Sequence, residues 1–78
     1  MTLAELAPGY EGYIQTIGGE GALRRRLLDM GLTPDTKVTV IKTAPMGDPI
    51  ELFLRSYVLS IRLEDAAKIQ MRDVCKVG

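Results

Sequence analysis

Several short segments of this sequence alternate apolar and polar residues. The clearest are Ile50–Arg55 and Val58–Leu63, which are separated only by Ser56 and Tyr57. Because side chains alternate between the two faces of a strand, each segment predicts a strand and the pair predicts a hairpin. The same reasoning predicts three further strands, at Tyr10–Ile17, Thr36–Thr43 and Ile69–Val74.

Strict alternation also predicts which side chains face the core. In the first strand Ile14 is expected on the side opposite Ile17. In the second hairpin strand Leu63 is expected on the apolar face together with Ile61, and in the first hairpin strand Phe53 is expected to face away from the apolar side.

One segment, Ala22–Met30, favours a helix. Leu23 and Leu27 are four residues apart and therefore lie on one apolar stripe. Gly31 follows directly and Pro34 comes shortly after, which is a typical stop signal. The sequence thus predicts one helix between the first two main strands.

Two further segments predict single helical turns. Thr2 and Glu5 have the spacing of a capping box, and Glu64–Lys68 has acid early and base late, which suits the helix dipole. Five short strands with one internal helix are too few for a sandwich and lack the βαβ rhythm of a parallel sheet. We therefore predict a mostly β fold, a small partly open β-barrel, formed as a single domain by residues 1–78.

The balance of charges and the scarcity of His and Cys exclude several classes of function. Ten Lys and Arg balance ten Asp and Glu, so no net attraction to nucleic acid or to an anionic membrane is expected. The chain has no His and one Cys, Cys75, which leaves zinc, haem and iron–sulfur sites and most nucleophilic triads without their parts. No apolar run approaches the roughly 18 residues of a membrane helix. We expect a cytoplasmic, non-enzymatic protein with no catalytic residue, no cofactor and no metal site.

Three segments together carry a family resemblance: Gly21–Pro34, with its Arg-Arg-Leu-Leu-Asp-Met-Gly-Leu helix, Ala44–Ile50, with Gly-Asp-Pro-Ile, and Tyr57–Arg62. In this order and spacing they resemble the ferrous iron transport A (FeoA) family. The resemblance implies an SH3-like barrel with a helix between its first two main strands. It also implies a bacterial cytoplasmic accessory of FeoB, a membrane GTPase that imports ferrous iron, held at the inner membrane through that partner.

A second function stays open from the same resemblance. A related domain lies at the C-terminus of metal-dependent repressors of the DtxR type, so the alternative is a regulatory interaction module of metal homeostasis. One position departs from the family pattern, because the hairpin turn carries Ser56 where the family often has Gly. If this position needs a positive φ, Ser costs up to about 1 kcal/mol more than Gly.

The helix carries the first candidate contact residues for a partner. Arg24, Arg25 and Arg26 are the only charge cluster, and arginines form forked pairs with carboxylates or phosphates. The alternative is a solvated helix face. Leu28 lies on the side of Arg24 at i+4, so it is either an interface anchor beside the arginines or a core residue.

The loops and the hairpin carry the other candidates. Met46 and Asp48 lie in a loop, where Asp48 has a reason in turn chemistry and Met46 has none, which makes Met46 the better contact candidate. Phe53 and Tyr57 are aromatic residues of the kind that anchor interfaces, although a barrel this small is expected to use its few aromatics in or partly in the core.

Three further possibilities complete the sequence analysis. Nucleic-acid binding has the three arginines in its favour and zero net charge against it. Catalysis has no candidate side chain. Exposed strand edges of an SH3-like barrel would allow weak self-association.

Overall fold

The computed structural model describes residues 1–77. A single 3-10 turn at Leu3–Glu5 precedes five strands and two helices. These are β1 (Tyr10–Ile17), α1 (Gly21–Asp29), β2 (Lys37–Thr43), β3 (Ile50–Leu54), β4 (Tyr57–Ile61), α2 (Leu63–Ala66) and β5 (Ile69–Lys76). All five predicted strands, the internal helix and both single turns are therefore present.

The strands form one antiparallel sheet in the order β4-β3-β2-β1-β5. The long strand β1 pairs with β2 on one side and with β5 on the other, which curls the sheet toward a partly open barrel. Inside it lie apolar residues from every strand, from α1 and from the N-terminal turn. The largest fully buried side chains are Leu3, Ile14, Leu27, Leu32, Val38, Val40, Ile50, Leu52, Leu54 and Ile69.

Strand β1 does not follow strict alternation. Ile14 and Ile17 are both buried, although they were predicted on opposite sides. The pairing of β1 with β5 shifts register between Ile14 and Thr16, and such a bulge inserts one extra residue that moves the following side chain to the other face. The predicted faces were therefore wrong from Thr16 onward.

Helix α1 ends where the sequence predicted. Gly31 has φ +96°, the left-handed conformation that glycine adopts without steric cost. Its N–H donates to the carbonyl of Leu28, and the N–H of Leu32 donates to the carbonyl of Leu27 at 3.1 Å. These two bonds form a Schellman motif, and Leu32 continues into the core.

The predicted β3–β4 hairpin is present, and within residues 1–77 it pairs regularly from Leu54–Tyr57 to Ile50–Ile61, without a bulge. Tyr57 was predicted between the two strands and is instead the first residue of β4. Arg55 and Ser56 form a two-residue turn and both have positive φ, +47° and +73°. Position 56 thus has the conformation that favours Gly. Leu63 was predicted on the apolar face of this hairpin and is instead 39% exposed, because β4 ends at Ile61 and Leu63 begins α2.

Candidate functional site

Helix α1 presents its arginines to solvent. Arg24, Arg25 and Arg26 are all exposed. Arg26 donates to the Asp65 carboxylate of α2 at 3.3 Å, and Asp65 is buried. Among residues 1–77, Arg24 and Arg25 have no acidic side chain within ion-pair distance. Two cations of the cluster are therefore free to meet a partner.

Leu28 is partly buried and packs against the core. Its apolar contacts are thus mostly internal, which favours the core role over that of an interface anchor. We expect substitution of Leu28 to disturb packing as well as any contact.

The two aromatic candidates lie on different sides of the hairpin. Phe53 is 45% exposed and pairs across the strands with the exposed Val58. It faces away from the apolar side, as alternation predicted, because residue 53 lies between the inward Leu52 and Leu54, and its contact with a partner stays a prediction. Tyr57 is half-exposed, and its hydroxyl donates to the carbonyl of Met30 at the end of α1.

The loop between β2 and β3 separates its two candidates. Met46 is 92% exposed, as a contact residue would be. The Asp48 carboxylate accepts a hydrogen bond at 2.9 Å from the backbone N–H of Leu63, the first residue of α2. Asp48 therefore stabilises the start of α2, and binding by Asp48 remains a prediction.

Three contacts join the elements that carry the candidates. Asp48 ties the loop to α2, Arg26 ties α1 to α2, and Tyr57 ties β4 to the end of α1. The candidates on α1, β4 and the loop thus belong to neighbouring elements, whereas Phe53 lies on the outer face of the sheet.

Between α1 and the end of β4 lies a groove, which we call the α1–β4 groove. Its volume is about 190 Å³, and its lining residues are Arg26, Met30, Ser60, Ile61, Arg62 and Asp65. Sequence reasoning missed Arg62, because nothing in the local pattern places it beside Arg26. The exposed Val58 could have been found, since it is a β-branched residue on the solvent side of an alternating strand.

Two larger concavities are less suited to bind a charged ligand, because their charged side chains already bond to other groups of the protein. One, of about 310 Å³, contains Lys42 and Glu51, which pair with each other at 3.2 Å. The other, of about 300 Å³, is lined mainly by apolar groups and contains Glu5, whose carboxylate already accepts from Thr2.

The remaining charged contacts are structural. Arg72 of β5 bonds to Asp35 and Asp73, which raises the pKa of its guanidinium above the ordinary value, and it lies 5.4 Å from the centre of the Tyr13 ring. Arg55 donates to the hydroxyls of Thr33 and Thr36, at 2.8 and 3.0 Å, which ties the hairpin turn to the segment after α1.

Two kinds of feature are missing from residues 1–77. No three side chains of His, Cys, Asp or Glu lie together where they could hold a metal ion. None of the helices in that part of the chain combines the length and the apolar character needed to cross a bilayer.

Comparison of sequences places the chain beside known iron-transport proteins. The FeoA domain family model matches residues 1–73. A Porphyromonas gingivalis protein, described as an Fe(2+) transport protein A/Fe(2+) transporter FeoB fusion protein, is 39% identical over 71 residues. This match covers 91% of the chain and only 8% of the fusion protein.

Comparison of structures agrees. The FeoA protein of Chlorobium tepidum has a TM-score of 0.84 and 38% identity, over 91% of this chain and 68% of that one. The zinc-complexed FeoA of Stenotrophomonas maltophilia, described as a procaryotic SH3 domain protein, has a TM-score of 0.87 at 19% identity, over 100% and 99% of the two chains. The predicted SH3-like fold is confirmed.

Proposed function

Because the chain belongs to the FeoA family of ferrous iron transport, we propose that it is a non-enzymatic adaptor that binds the cytoplasmic part of a FeoB-type membrane GTPase and modulates its activity. The observation that carries the proposal is the Porphyromonas gingivalis fusion protein, in which a related sequence and a FeoB transporter share one chain. Fusion holds two modules at high effective concentration, which is useful when they act on each other.

The exposed side chains of α1 fit this role. Arg24 and Arg25 have no ion pair among residues 1–77, so a partner's carboxylates can bind them without breaking an internal contact. Arg26 is tied to Asp65 and Leu28 to the core, so these two contribute less.

Modulation requires a difference between the nucleotide states of the partner. An accessory protein shifts a switch only as far as its affinity differs between the two states. A tenfold preference for one state corresponds to about 1.4 kcal/mol.

The test is a calorimetric titration against the detergent-solubilised, full-length FeoB-type GTPase of the same organism, with GDP and with a non-hydrolysable GTP analogue. We expect binding, and an affinity that differs between the two nucleotides. Absence of binding in both states, with both proteins folded, would refute the adaptor role.

A charge-reversal pair tests the surface. Arg24→Glu with Arg25→Glu is expected to weaken binding by about tenfold or more, because attraction to acidic groups becomes repulsion. The control is Lys68→Glu with Lys76→Glu, which reverses two exposed cations, one just before β5 and one at its last residue, and is expected to leave affinity unchanged. Equal losses in both variants would show that net charge alone, and not the α1 surface, governs binding.

A further inference from the structure

The sheet has two edges, β4 and β5, and within residues 1–77 another segment covers only the β5 edge. At β5 the N-terminal segment pairs through an antiparallel bridge between Thr2 and Gln70, and the N–H of Met71 donates to the carbonyl of Met1 at 2.7 Å. At β4 nothing comparable is present among residues 1–77, where β3 is the only strand that β4 pairs with.

The hairpin register identifies the free backbone groups of β4. In a two-residue hairpin the residues that flank the turn, here Leu54 and Tyr57, form a hydrogen-bonded pair, and such pairs alternate with non-hydrogen-bonded ones. Val58 and Ser60 therefore belong to non-hydrogen-bonded pairs and direct their N–H and C=O groups away from β3. No other backbone hydrogen bond within residues 1–77 uses these groups.

The α1–β4 groove runs beside these groups. The Tyr57 hydroxyl bond to the Met30 carbonyl joins strand and helix near one end of β4, and the Arg26–Asp65 pair lies near the other. Ser60 itself lines the groove. An edge strand with a helix beside it can receive an extended segment, because main-chain hydrogen bonds give affinity and the flanking side chains select the sequence.

The charge of the groove identifies what kind of segment fits. Its lining contains two guanidinium groups, those of Arg26 and Arg62, and one carboxylate, that of Asp65. Asp65 pairs with Arg26, and Arg62 has no acidic partner within ion-pair distance among residues 1–77. One positive charge is therefore left for a carboxylate of the occupant.

Building on the proposed function, we propose that β4 receives an extended acidic segment of the FeoB-type GTPase as a sixth strand. Its backbone bonds the N–H and C=O groups of Val58 and Ser60, and an Asp or Glu side chain pairs with Arg62. The Arg24 and Arg25 surface contributes attraction from the neighbouring helix and is not part of the groove.

The first test needs no variant. Amide hydrogen exchange of the wild-type protein is followed by NMR, alone and with the full-length GTPase. We expect the amides of Val58 and Ser60 to exchange rapidly in the free protein and at least about tenfold more slowly in the complex, because the added strand accepts their hydrogen bonds. Binding without protection of these two amides would overturn the strand addition and leave the adaptor role standing.

Variants provide the second test. Ser60→Pro removes the outward N–H, and proline is tolerated at such edge positions, whereas Ser60→Ala removes only the hydroxyl. We expect Ser60→Pro to weaken binding by about tenfold or more and Ser60→Ala by less than about twofold, with native-like NMR spectra for both. Equal affinities in these two folded variants would contradict the proposal.

A charge-reversal variant and a test for self-association complete the experiments. Arg62→Glu is expected to weaken binding by about tenfold, and Lys68→Glu is its control. If the Val58 and Ser60 amides become protected in the isolated protein as its concentration rises, the occupant of β4 is a second copy and the proposal is wrong. If the wild-type protein does not bind the GTPase at all, the proposed function fails first.

Discussion

The two edge strands of the sheet, β4 and β5, differ in coverage, in the regularity of their pairing and in charge, three features that limit pairing with another chain. Strand β5 is covered in part by the N-terminal segment, its pairing with β1 contains two register shifts, and Asp73 within it has φ +53°. It also carries the charged Arg72 with its two acidic partners. Bulges, charges and coverings are the usual means by which proteins prevent edge-to-edge association.

Within residues 1–77, strand β4 has no covering segment, no bulge and no charged residue, although at five residues it is short. Its register with β3 is regular, and Tyr57 and Val58 are exposed apolar or aromatic residues along it. A fold that protects one edge so thoroughly and leaves the other regular is expected to use the second edge. The contrast is the structural basis for assigning a partner to β4.

The largest effect is expected when the cover of β5 is loosened. Leu3 anchors the N-terminal turn and is fully buried, so Leu3→Ala should lower the free energy of unfolding by about 3 kcal/mol. Urea denaturation measures this loss. In native-state exchange the Met71 amide, which donates to Met1, should lose more protection than the amide of Leu52 in the centre of the sheet. Leu63→Ala removes a similar side chain from an exposed site and should cost less than about 1 kcal/mol; equal costs would mean that the N-terminal turn is not anchored by Leu3.

The next effect concerns the attachment of α1 beside β4. Gly31→Ala places a Cβ against the Tyr57 hydroxyl and also forces Ala into a left-handed conformation, so the expected loss in unfolding free energy is about 2 kcal/mol. Gly47→Ala is the matched control, because Gly47 has φ +86° with open space around it, and its cost should be about 1 kcal/mol. Adding Tyr57→Phe should reduce the excess cost of Gly31→Ala, as measured by urea denaturation. An unchanged excess would show that the hydroxyl is not the obstacle.

A smaller effect is expected in the hairpin turn that sets the register of β4. Ser56→Gly relieves a residue at φ +73° and should raise the free energy of unfolding by about 0.5 to 1 kcal/mol. The same replacement within β4, Ser60→Gly, should lower it by a similar amount, because glycine weakens a strand. Thermal unfolding of the two variants gives the sign directly, and a loss of stability in both would refute the strained-turn explanation.

The smallest effect is a pH dependence confined to the covered edge. The Thr2 backbone N–H and hydroxyl donate to the Glu5 carboxylate and lower its pKa from the ordinary Glu value. Because folding lowers this pKa, the capping bonds stabilise the turn fully at pH values above the ordinary pKa of Glu. This stabilisation is lost as the pH falls through the lowered pKa. The Thr2 amide shift in NMR should titrate with a midpoint below the pKa of Glu in an unfolded peptide, while the amides of β4 stay constant. Glu5→Gln should abolish this titration, and a wild-type midpoint no lower than that of Glu in an unfolded peptide would contradict the capping box.

Local pattern explains what could be predicted and what could not. Alternation predicted the hairpin with its inward Ile50, Leu52 and Leu54, and glycine after a helical segment predicted the end of α1, because both signals lie within a few neighbouring residues. The bulge in β1 was not predictable, since it depends on how β1 pairs with β5, more than 50 residues later in the chain. Alternation also placed Phe53 on the outward face of β3.

By itself, the sequence determined the elements, their order and the family, since spacing and turn residues act locally and the family's segments can be compared directly. Only the tertiary structure decided how the candidate residues are used. It paired Arg26 with Asp65 across 39 positions and turned Asp48 into a cap for α2. Within residues 1–77 it also left Arg62 without an acidic partner, beside a strand edge that no other segment covers. Ion pairs, caps and free edges depend on which surfaces come into contact when the chain folds, and the local spacing of residues does not predict those long-range contacts.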